Sequence, residues 1–372
     1  MSDQPDAVGL YLHLPFCRVR CSYCAFAVST DLRLEQAYRA AILDEIRTRA
    51  DGRRADTVFW GGGTPSRSSF ESISSIDAAL RSAFEIVPDA ETTIEANPED
   101  VDAEAIERWK TIGVNRLSVG VQSFHDLELI PLGRIHGARR ALRAVETAVG
   151  SGLRVSLDLM LGLPGQTRAS FRETLEIAID SGVGHISAYM LDLEEGSALV
   201  SRLDRNLVTV PDDGETSTAY LEMVDMLSSA GLAQYEVSNF ARPGEVSLHN
   251  LRYWERRPYH GFGAGAHSFV GERRTGNFRN VRGYIEAMER GGPAIELVDE
   301  LGETELRREL IFLSLRRARG IVYSDLIAWT GERGGTWIEQ GLKYGWLKRG
   351  EDRVAFTPEG FLLSNDLLSE LF

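Results

Sequence analysis

Apolar positions along the first 230 residues or so follow two spacings, one typical of buried strands and the other of amphipathic helices. Short apolar runs predict six strands, at residues 11–14, 57–60, 92–95, 116–121, 154–160 and 185–190. After each run, apolar residues recur every three or four positions, as in Tyr38, Ile42 and Ile46. This spacing predicts helices near residues 34–46, 73–84, 102–112, 138–149, 170–179 and 216–229.

Six strand-then-helix units with short loops are typical of a parallel sheet covered by helices. The regular succession predicts an α/β fold, a partial (β/α)6 barrel, with an open doubly wound sheet as the alternative. In such barrels the functional groups lie at the carboxyl ends of the strands. We divide the chain into a barrel at 1–235, a connecting segment at 236–300 and a C-terminal module at 301–372.

The module has a different pattern, with three helices, a two-strand hairpin and a final helix. This order is typical of a winged-helix-like α+β module, a fold that often binds DNA. Its basic residues form no recognition helix beyond the set Arg307, Arg308, Arg316, Arg317 and Arg319. We interpret the module as a lid or partner surface rather than a nucleic-acid interface.

Composition and charge make several classes of function improbable for this chain. The chain has 41 Lys and Arg against 55 Asp and Glu, a net charge of -14 that disfavours nucleic acid as a partner. No apolar run approaches the roughly 20 residues of a membrane-spanning helix. The start, Met1 to Ala7, lacks the basic and apolar parts of a secretion signal. We therefore expect a cytoplasmic protein.

All three cysteines of the chain, Cys17, Cys21 and Cys24, lie within eight residues directly after the first predicted strand. Such clustering favours a metal or cluster site over three unrelated buried thiols. A structural zinc normally has four protein ligands, and no His or Cys follows within ten residues of Cys24. Three thiolates on a four-iron cluster would leave one iron open to a small molecule.

The segment Cys17-Arg-Val-Arg-Cys21-Ser-Tyr-Cys24 resembles the CxxxCxxC signature of the radical S-adenosylmethionine (radical SAM) superfamily. The resemblance implies a radical SAM barrel with a [4Fe-4S] cluster. It also implies that S-adenosylmethionine chelates the open iron and that the reduced cluster can cleave its sulfonium to a 5′-deoxyadenosyl radical.

Further motifs resemble one branch of this superfamily, the relatives of oxygen-independent coproporphyrinogen III oxidase, over nearly the whole chain. The branch contacts the methionyl amino group through a stretch like Gly61-Gly62-Gly63-Thr64-Pro65, which follows the second predicted strand. The other positions that resemble S-adenosylmethionine contacts are Tyr11, Glu95, Gln122, Arg134 and Asp158.

A zwitterionic ligand with a ribose diol needs a cation for its carboxylate and acceptors for its ammonium and hydroxyls. We therefore assign Arg134 to the carboxylate of S-adenosylmethionine. Glu95, Gln122 and Asp158 are assigned to the ammonium or the ribose.

Two features separate the subfamilies of this branch. The oxidases carry a further cysteine two residues after the third, and here that position is Phe26. The segment His249-Asn-Leu-Arg-Tyr253-Trp254 matches the HNxxYW motif of the heme chaperone HemW family. The resemblance implies a protein that binds heme, transfers it to acceptor hemoproteins and lacks oxidase activity.

His249 is the candidate heme ligand, because imidazole binds heme iron and the two following aromatic residues offer flat faces to a macrocycle. Many relatives have a cysteine where this chain has Ser247, and His260 and His267 stay open as alternatives.

Two rival functions also stay open: a true coproporphyrinogen III dehydrogenase, and a radical enzyme for another substrate such as RNA. The family also implies delivery of heme near the membrane, so the acceptors and a peripheral attachment through a partner are expected there. Homodimerisation is left open.

Overall fold

The computed structural model describes residues 7–372, so the expectation about Met1–Ala7 falls outside the described residues except for Ala7. All six predicted strands are present and lie side by side in chain order, each parallel to the next. They are β1 Val8–Leu14, β2 Arg54–Gly62, β3 Glu85–Ala96, β4 Arg116–Gln122, β5 Arg154–Leu161 and β6 His185–Met190. The predicted α/β partial barrel is confirmed.

The predicted helices cover this sheet, and their apolar spacing explains which face is buried. The clearest case is a helix that buries Ala141, Ala144, Val145 and Ala148, which are three or four residues apart. The predicted helices are α1 Glu35–Thr48, α2 Phe70–Ala83, α3 Ala103–Thr111, α5 Ala138–Gly150, α6 Arg168–Asp180 and α8 Asp213–Ser229. Two short helices, α4 Asp126–Leu132 and α7 Ala198–Asp204, were not predicted.

Residues after α8 extend the sheet at both edges. The hairpin of β7 Ala233–Glu236 and β8 Asn239–Ala241 continues it beyond β6. On the other side β9 Tyr259–Phe262 pairs in parallel with β1. The remaining elements are α9 Leu248–Trp254, β10 His267–Val270, β11 Arg273–Asn277, α10 Val281–Glu289 and β12 Ile295–Glu300. The segment 236–300, predicted as a connection that carries the HNxxYW motif, supplies five strands to a twelve-stranded sheet. The domain boundaries stay a prediction.

The C-terminal residues form helices around a small antiparallel sheet, as the winged-helix-like pattern predicts. The two predicted central helices form one element broken at Gly331, whose φ is 60°. The elements are α11 Glu303–Leu315, β13 Ile321–Val322, α12 Tyr323–Lys343, β14 Leu347–Arg349, β15 Arg353–Phe356, α13 Pro358–Leu362 and α14 Ser364–Leu371. Within residues 7–372, no helix is long and apolar enough to cross a membrane.

Candidate cluster and cofactor site

A cleft of about 450 Å³ opens at the carboxyl ends of the parallel strands. These ends meet at one edge of the sheet, so side chains far apart in the sequence come together there. Of the twelve residues predicted for the site, ten line this cleft. They are Cys17, Cys21, Cys24, Gly62, Gly63, Thr64, Glu95, Gln122, Arg134 and Asp158.

The cysteine loop that follows β1 is fastened at several points. The Cys17 amide donates to the Ser29 carbonyl at 3.0 Å, and the Ser22 amide donates to the Leu132 carbonyl at 2.9 Å. Within the loop, the Cys24 amide donates to the Cys21 carbonyl at 3.2 Å. All three thiols are consequently held half-buried against one wall of the cleft.

Two side chains donate hydrogen bonds to the sulfur atoms. Thr64 Oγ1 donates to Cys17 Sγ at 3.3 Å, and Arg134 Nη1 donates to Cys21 Sγ at 3.7 Å. Such contacts stabilise negative charge on sulfur and are the usual surroundings of cluster-binding cysteines.

The three thiols do not form a site for a single metal ion in the structure. Within the described part of the chain, no three His, Cys, Asp or Glu side chains are grouped so that they could hold one metal ion. In an iron–sulfur cube each cysteine binds a different iron, so its ligands stand further apart than those of a zinc ion. The three thiols that line the cleft are the protein ligands that the predicted cluster needs.

Burial favours the protonated form of two of these thiols, those of Cys17 and Cys24, when no metal is bound. It raises the pKa of Cys17 to about 11 and raises the pKa of Cys24 above its ordinary value. Metals bind thiolates, so loading of a cluster would release these protons.

The glycines after β2 allow the backbone of the cleft to pack closely. Gly62 has φ +113°, and a Cβ atom on it would lie 2.6 Å from His13 Nδ1. A Cβ atom on Gly63 would lie 2.5 Å from the carbonyl carbon of Pro15. The Gly62 amide can then donate to Glu95 Oε2 at 3.1 Å.

Arg134 is positioned by the end of β3 and by β4. Its Nη2 donates to Asn97 Oδ1 at 2.7 Å and to the Gly120 carbonyl, and Asn97 Nδ2 donates to Thr64 Oγ1 at 3.3 Å. Asn97 is not among the residues that the sequence predicts for the site. Side chains two residues apart in an extended segment point to the same side. The spacing of Asn97 from Glu95 could therefore have indicated that Asn97 faces the cleft.

Two carboxyl groups in the cleft have raised pKa values. Burial, reinforced by the charge of Asp158, raises the pKa of Glu95 to about 8. Burial also raises the pKa of Asp158 to about 6, although hydrogen bonds from Ser187 and Ser118 oppose this shift. At neutral pH Glu95 is therefore mostly neutral and Asp158 mostly ionised. Gln122 ends β4, the strand between those of Glu95 and Asp158, and its φ of 66° is unusual for a residue with a side chain.

The other two predicted residues, Tyr11 and His249, line a separate cavity of about 180 Å³. His249 is 1% exposed, and its ring stacks on Phe59 with 5.1 Å between centroids. Its Nδ1 is hydrogen-bonded to Thr57 Oγ1 and its Nε2 to the Tyr253 hydroxyl, each at 2.8 Å. Burial lowers the pKa of His249 to about 3. Heme ligation by His249 stays a prediction, and it requires one of these hydrogen bonds to break.

The alternative histidines lie elsewhere. His260 is buried, with Nε2 at 3.0 Å from Asp51 Oδ2, whereas His267 is exposed on β10. Neither lines either of the two cavities.

Known proteins match this chain along its whole length. The model of the radical SAM superfamily matches residues 11–178. The heme chaperone HemW of Mycobacterium tuberculosis is 35% identical over 380 residues, which cover 100% of this chain and 96% of that protein. The chain belongs to the HemW family. HemW of Escherichia coli is 34% identical over 98% of both chains.

The fold of this HemW-family chain also occurs in a solved structure. Coproporphyrinogen III oxidase (HemN) from Escherichia coli, a radical SAM enzyme, aligns with a TM-score of 0.86 over 100% of this chain and 91% of that one. At 23% identity this likeness shows the shared fold. Membership of the radical SAM superfamily implies a [4Fe-4S] cluster and S-adenosylmethionine as cofactors.

Proposed function

We propose that the protein is a heme chaperone that holds a [4Fe-4S] cluster, S-adenosylmethionine and one heme, and transfers the heme to an acceptor hemoprotein. The observation that carries the proposal is the full-length similarity to two bacterial proteins named heme chaperone. Phe26 supports it, because this side chain stands where the oxidases have an additional cysteine.

Cys17, Cys21 and Cys24 would each bind one iron of the cluster. When bound, the cluster and S-adenosylmethionine together supply one-electron chemistry at the sulfonium. Thr64 and Arg134 already donate to two of the sulfur atoms and would stabilise the thiolates in the same way.

The remaining residues of the cleft would bind S-adenosylmethionine. The guanidinium of Arg134, fixed by Asn97 and Gly120, would bind its carboxylate. Glu95, Gln122 and Asp158 would accept from its ammonium or ribose hydroxyls.

The rim of the cleft supports heme binding nearby. Phe26, Ile135 and Met190 line the cleft and are 67%, 51% and 43% exposed. Apolar side chains in such positions can pack on a flat macrocycle. A single exposed apolar residue is common on protein surfaces, but several at one cleft indicate a binding surface. The acceptor, a membrane partner and a homodimer stay predictions.

The test is an anaerobic reconstitution with iron and sulfide, followed by an optical titration with hemin. We expect a Soret shift that saturates at one heme per chain and changes in His249→Ala. His125→Ala, which removes a histidine outside both cavities, is the matched control and should leave the shift unchanged. Absence of a saturable shift would remove the chaperone function.

The second candidate is a coproporphyrinogen III dehydrogenase, which the shared fold with HemN favours. The same reconstituted protein is incubated anaerobically with a reductant, S-adenosylmethionine and coproporphyrinogen III. We expect no protoporphyrinogen IX, because of Phe26. Its formation would replace the chaperone proposal with the enzyme.

A further inference from the structure

The smaller cavity lies inside the barrel beneath the cleft, and we call it the Arg116 chamber. Its polar lining includes Arg116, Ser118, Asp158, His185, Ser187 and Asn250. The HNxxYW motif on α9 closes one side, since His249 and Tyr253 also line it. Glu95, Asp158 and Tyr189 line both this chamber and the cleft, so they form a common wall.

The guanidinium of Arg116 has no hydrogen-bonded or ion-paired partner among residues 7–372, and its charge acts on Asp158 only from beyond ion-pair distance. The residue is 2% exposed, and its Nη2 has no hydrogen-bond partner among residues 7–372. No carboxylate of these residues forms an ion pair with it. Asp158, which also lines the chamber, instead accepts from Ser118 at 3.0 Å. The buried Nη2 of Arg116 thus keeps a donor that the described residues leave unpaired, and such a donor favours binding of a ligand.

Apart from Asp158, the titratable groups that line the chamber carry no negative charge at neutral pH. His185 Nδ1 is 2.6 Å from Ser156 Oγ, and its Nε2 is 2.8 Å from the Tyr235 hydroxyl. Burial, with the nearby charge of Arg116, lowers the pKa of His185 well below its ordinary value. Burial keeps Glu95 mostly neutral at pH 7. Asp158 therefore carries the chamber's negative charge, and it is already hydrogen-bonded.

A carboxylate matches the donors that are free. The planar guanidinium of Arg116 presents a fork of N–H groups that fits two carboxylate oxygens. The side-chain amide of Asn250 lines the same space and makes no hydrogen bond with the described residues. The volume of about 180 Å³ accepts a short-chain carboxylate but excludes a porphyrin ring.

From the unpaired Arg116 and the enclosed polar space we infer that the chamber is a carboxylate-binding site. Two sources have this chemistry: a free short-chain acid, and the propionate arm of a porphyrin seated in the cleft and reaching past the common wall. The second source rests on the proposed function, and the first does not.

The test compares charged and neutral probes of one shape on the reconstituted protein. [1-¹³C]Propionate and [1-¹³C]propionamide are titrated while the ¹³C line width is followed. We expect saturable broadening for propionate only, and affinity weakened at least about tenfold in Arg116→Gln, because a charge-assisted pair is lost. Arg143→Gln, which alters an exposed arginine, is the matched control. Asn250→Asp is a second variant, in which a new negative charge opposes the probe.

Hemin and hemin dimethyl ester distinguish the sources. If Arg116→Gln weakens hemin binding but not ester binding, the porphyrin propionate is the ligand. If propionate binds and Arg116→Gln leaves hemin affinity unchanged, the ligand is a free acid. The ligand is also a free acid if propionate binds and hemin does not bind the unaltered protein. Only this last result refutes the chaperone function. The inference is overturned if propionate does not bind the unaltered protein and Arg116→Gln leaves hemin affinity unchanged. It is also overturned if Arg116→Gln and Asn250→Asp both bind propionate as tightly as the unaltered protein does.

Discussion

Glu95 shows how burial controls a single side chain of the site. Its carboxyl group has a pKa of about 8 in the folded protein, against an ordinary value of 4.5. Between these values the unfolded chain releases a proton that the folded chain keeps. The contribution of Glu95 to stability is therefore complete below pH 4.5 and is lost as the pH rises through 8.

Glu95→Gln should remove this dependence, because an amide does not titrate. The free energy of unfolding of the variant relative to the unaltered protein should rise by more than about 2 kcal/mol between pH 5 and pH 9. The measurement is urea unfolding of cluster-free protein without S-adenosylmethionine at both pH values. Glu71→Gln, at a largely exposed position, is the matched control. A flat difference for Glu95→Gln would contradict the raised pKa.

Arg134 is the side chain assigned to the ligand carboxylate. Arg134→Ala should weaken S-adenosylmethionine binding at least about tenfold, since a charge-assisted hydrogen bond is lost. Arg134→Lys should restore only part of the affinity, because it keeps the charge but not the planar fork. Calorimetry on reconstituted protein measures this, with Arg139→Ala, an exposed neighbour, as the control. Unchanged affinity in Arg134→Ala would refute the assignment.

Among the elements, α1 is joined to the later sheet extension through one buried carboxylate. Glu45 is 3% exposed. It accepts from the Gly263 amide at 2.8 Å, and from Asn277 Nδ2, the Tyr284 hydroxyl and Arg49 Nη1 at 2.7 Å each. One side chain thus satisfies donors from the loop after β9, from β11 and from α10.

Glu45→Ala should destabilise the protein by about 3–5 kcal/mol, because it leaves a guanidinium and several buried donors without an acceptor. Denaturant unfolding gives the value. Glu71→Ala, which removes an exposed helix-surface ion pair, should cost less than about 1 kcal/mol. A loss of similar size in both variants would show that Glu45 does not fasten the extension.

Over the whole molecule, the C-terminal module and the barrel share one apolar core. Ile311, Leu315 and Trp337 of the module belong to the same buried cluster as the strands of the barrel. Polar contacts reinforce the junction at the end of α9. Arg256 Nε donates to Glu309 Oε2 at 2.6 Å, and Arg317 Nη1 donates to Glu255 Oε1 at 2.8 Å.

A shared core predicts that barrel and module unfold together. Calorimetry of the cluster-free protein should show a single transition. Glu309→Ala, which removes the partner of Arg256 and Arg274, should lower the temperature of that transition without splitting it. Two separate transitions in the unaltered protein would mean that the module is an independent unit.

The sequence by itself determined the order of strands and helices and the positions of the cluster cysteines. Both depend on short stretches of sequence. The period of apolar residues within a segment indicates a strand or a helix, and the three cysteines lie within eight residues of one another. Strand ends were also predictable, and because ends of parallel strands converge, ten of the twelve site residues lie in one cleft.

Only the tertiary structure decided which residues face which cavity. His249 is hydrogen-bonded to Thr57, 192 residues away, and lies with Tyr11 in the inner chamber rather than in the cleft. Nothing in the sequence distinguishes Arg116 from any other polar residue at the start of a strand. Such placements depend on how distant elements pack, and residue spacing along the chain carries no record of that packing.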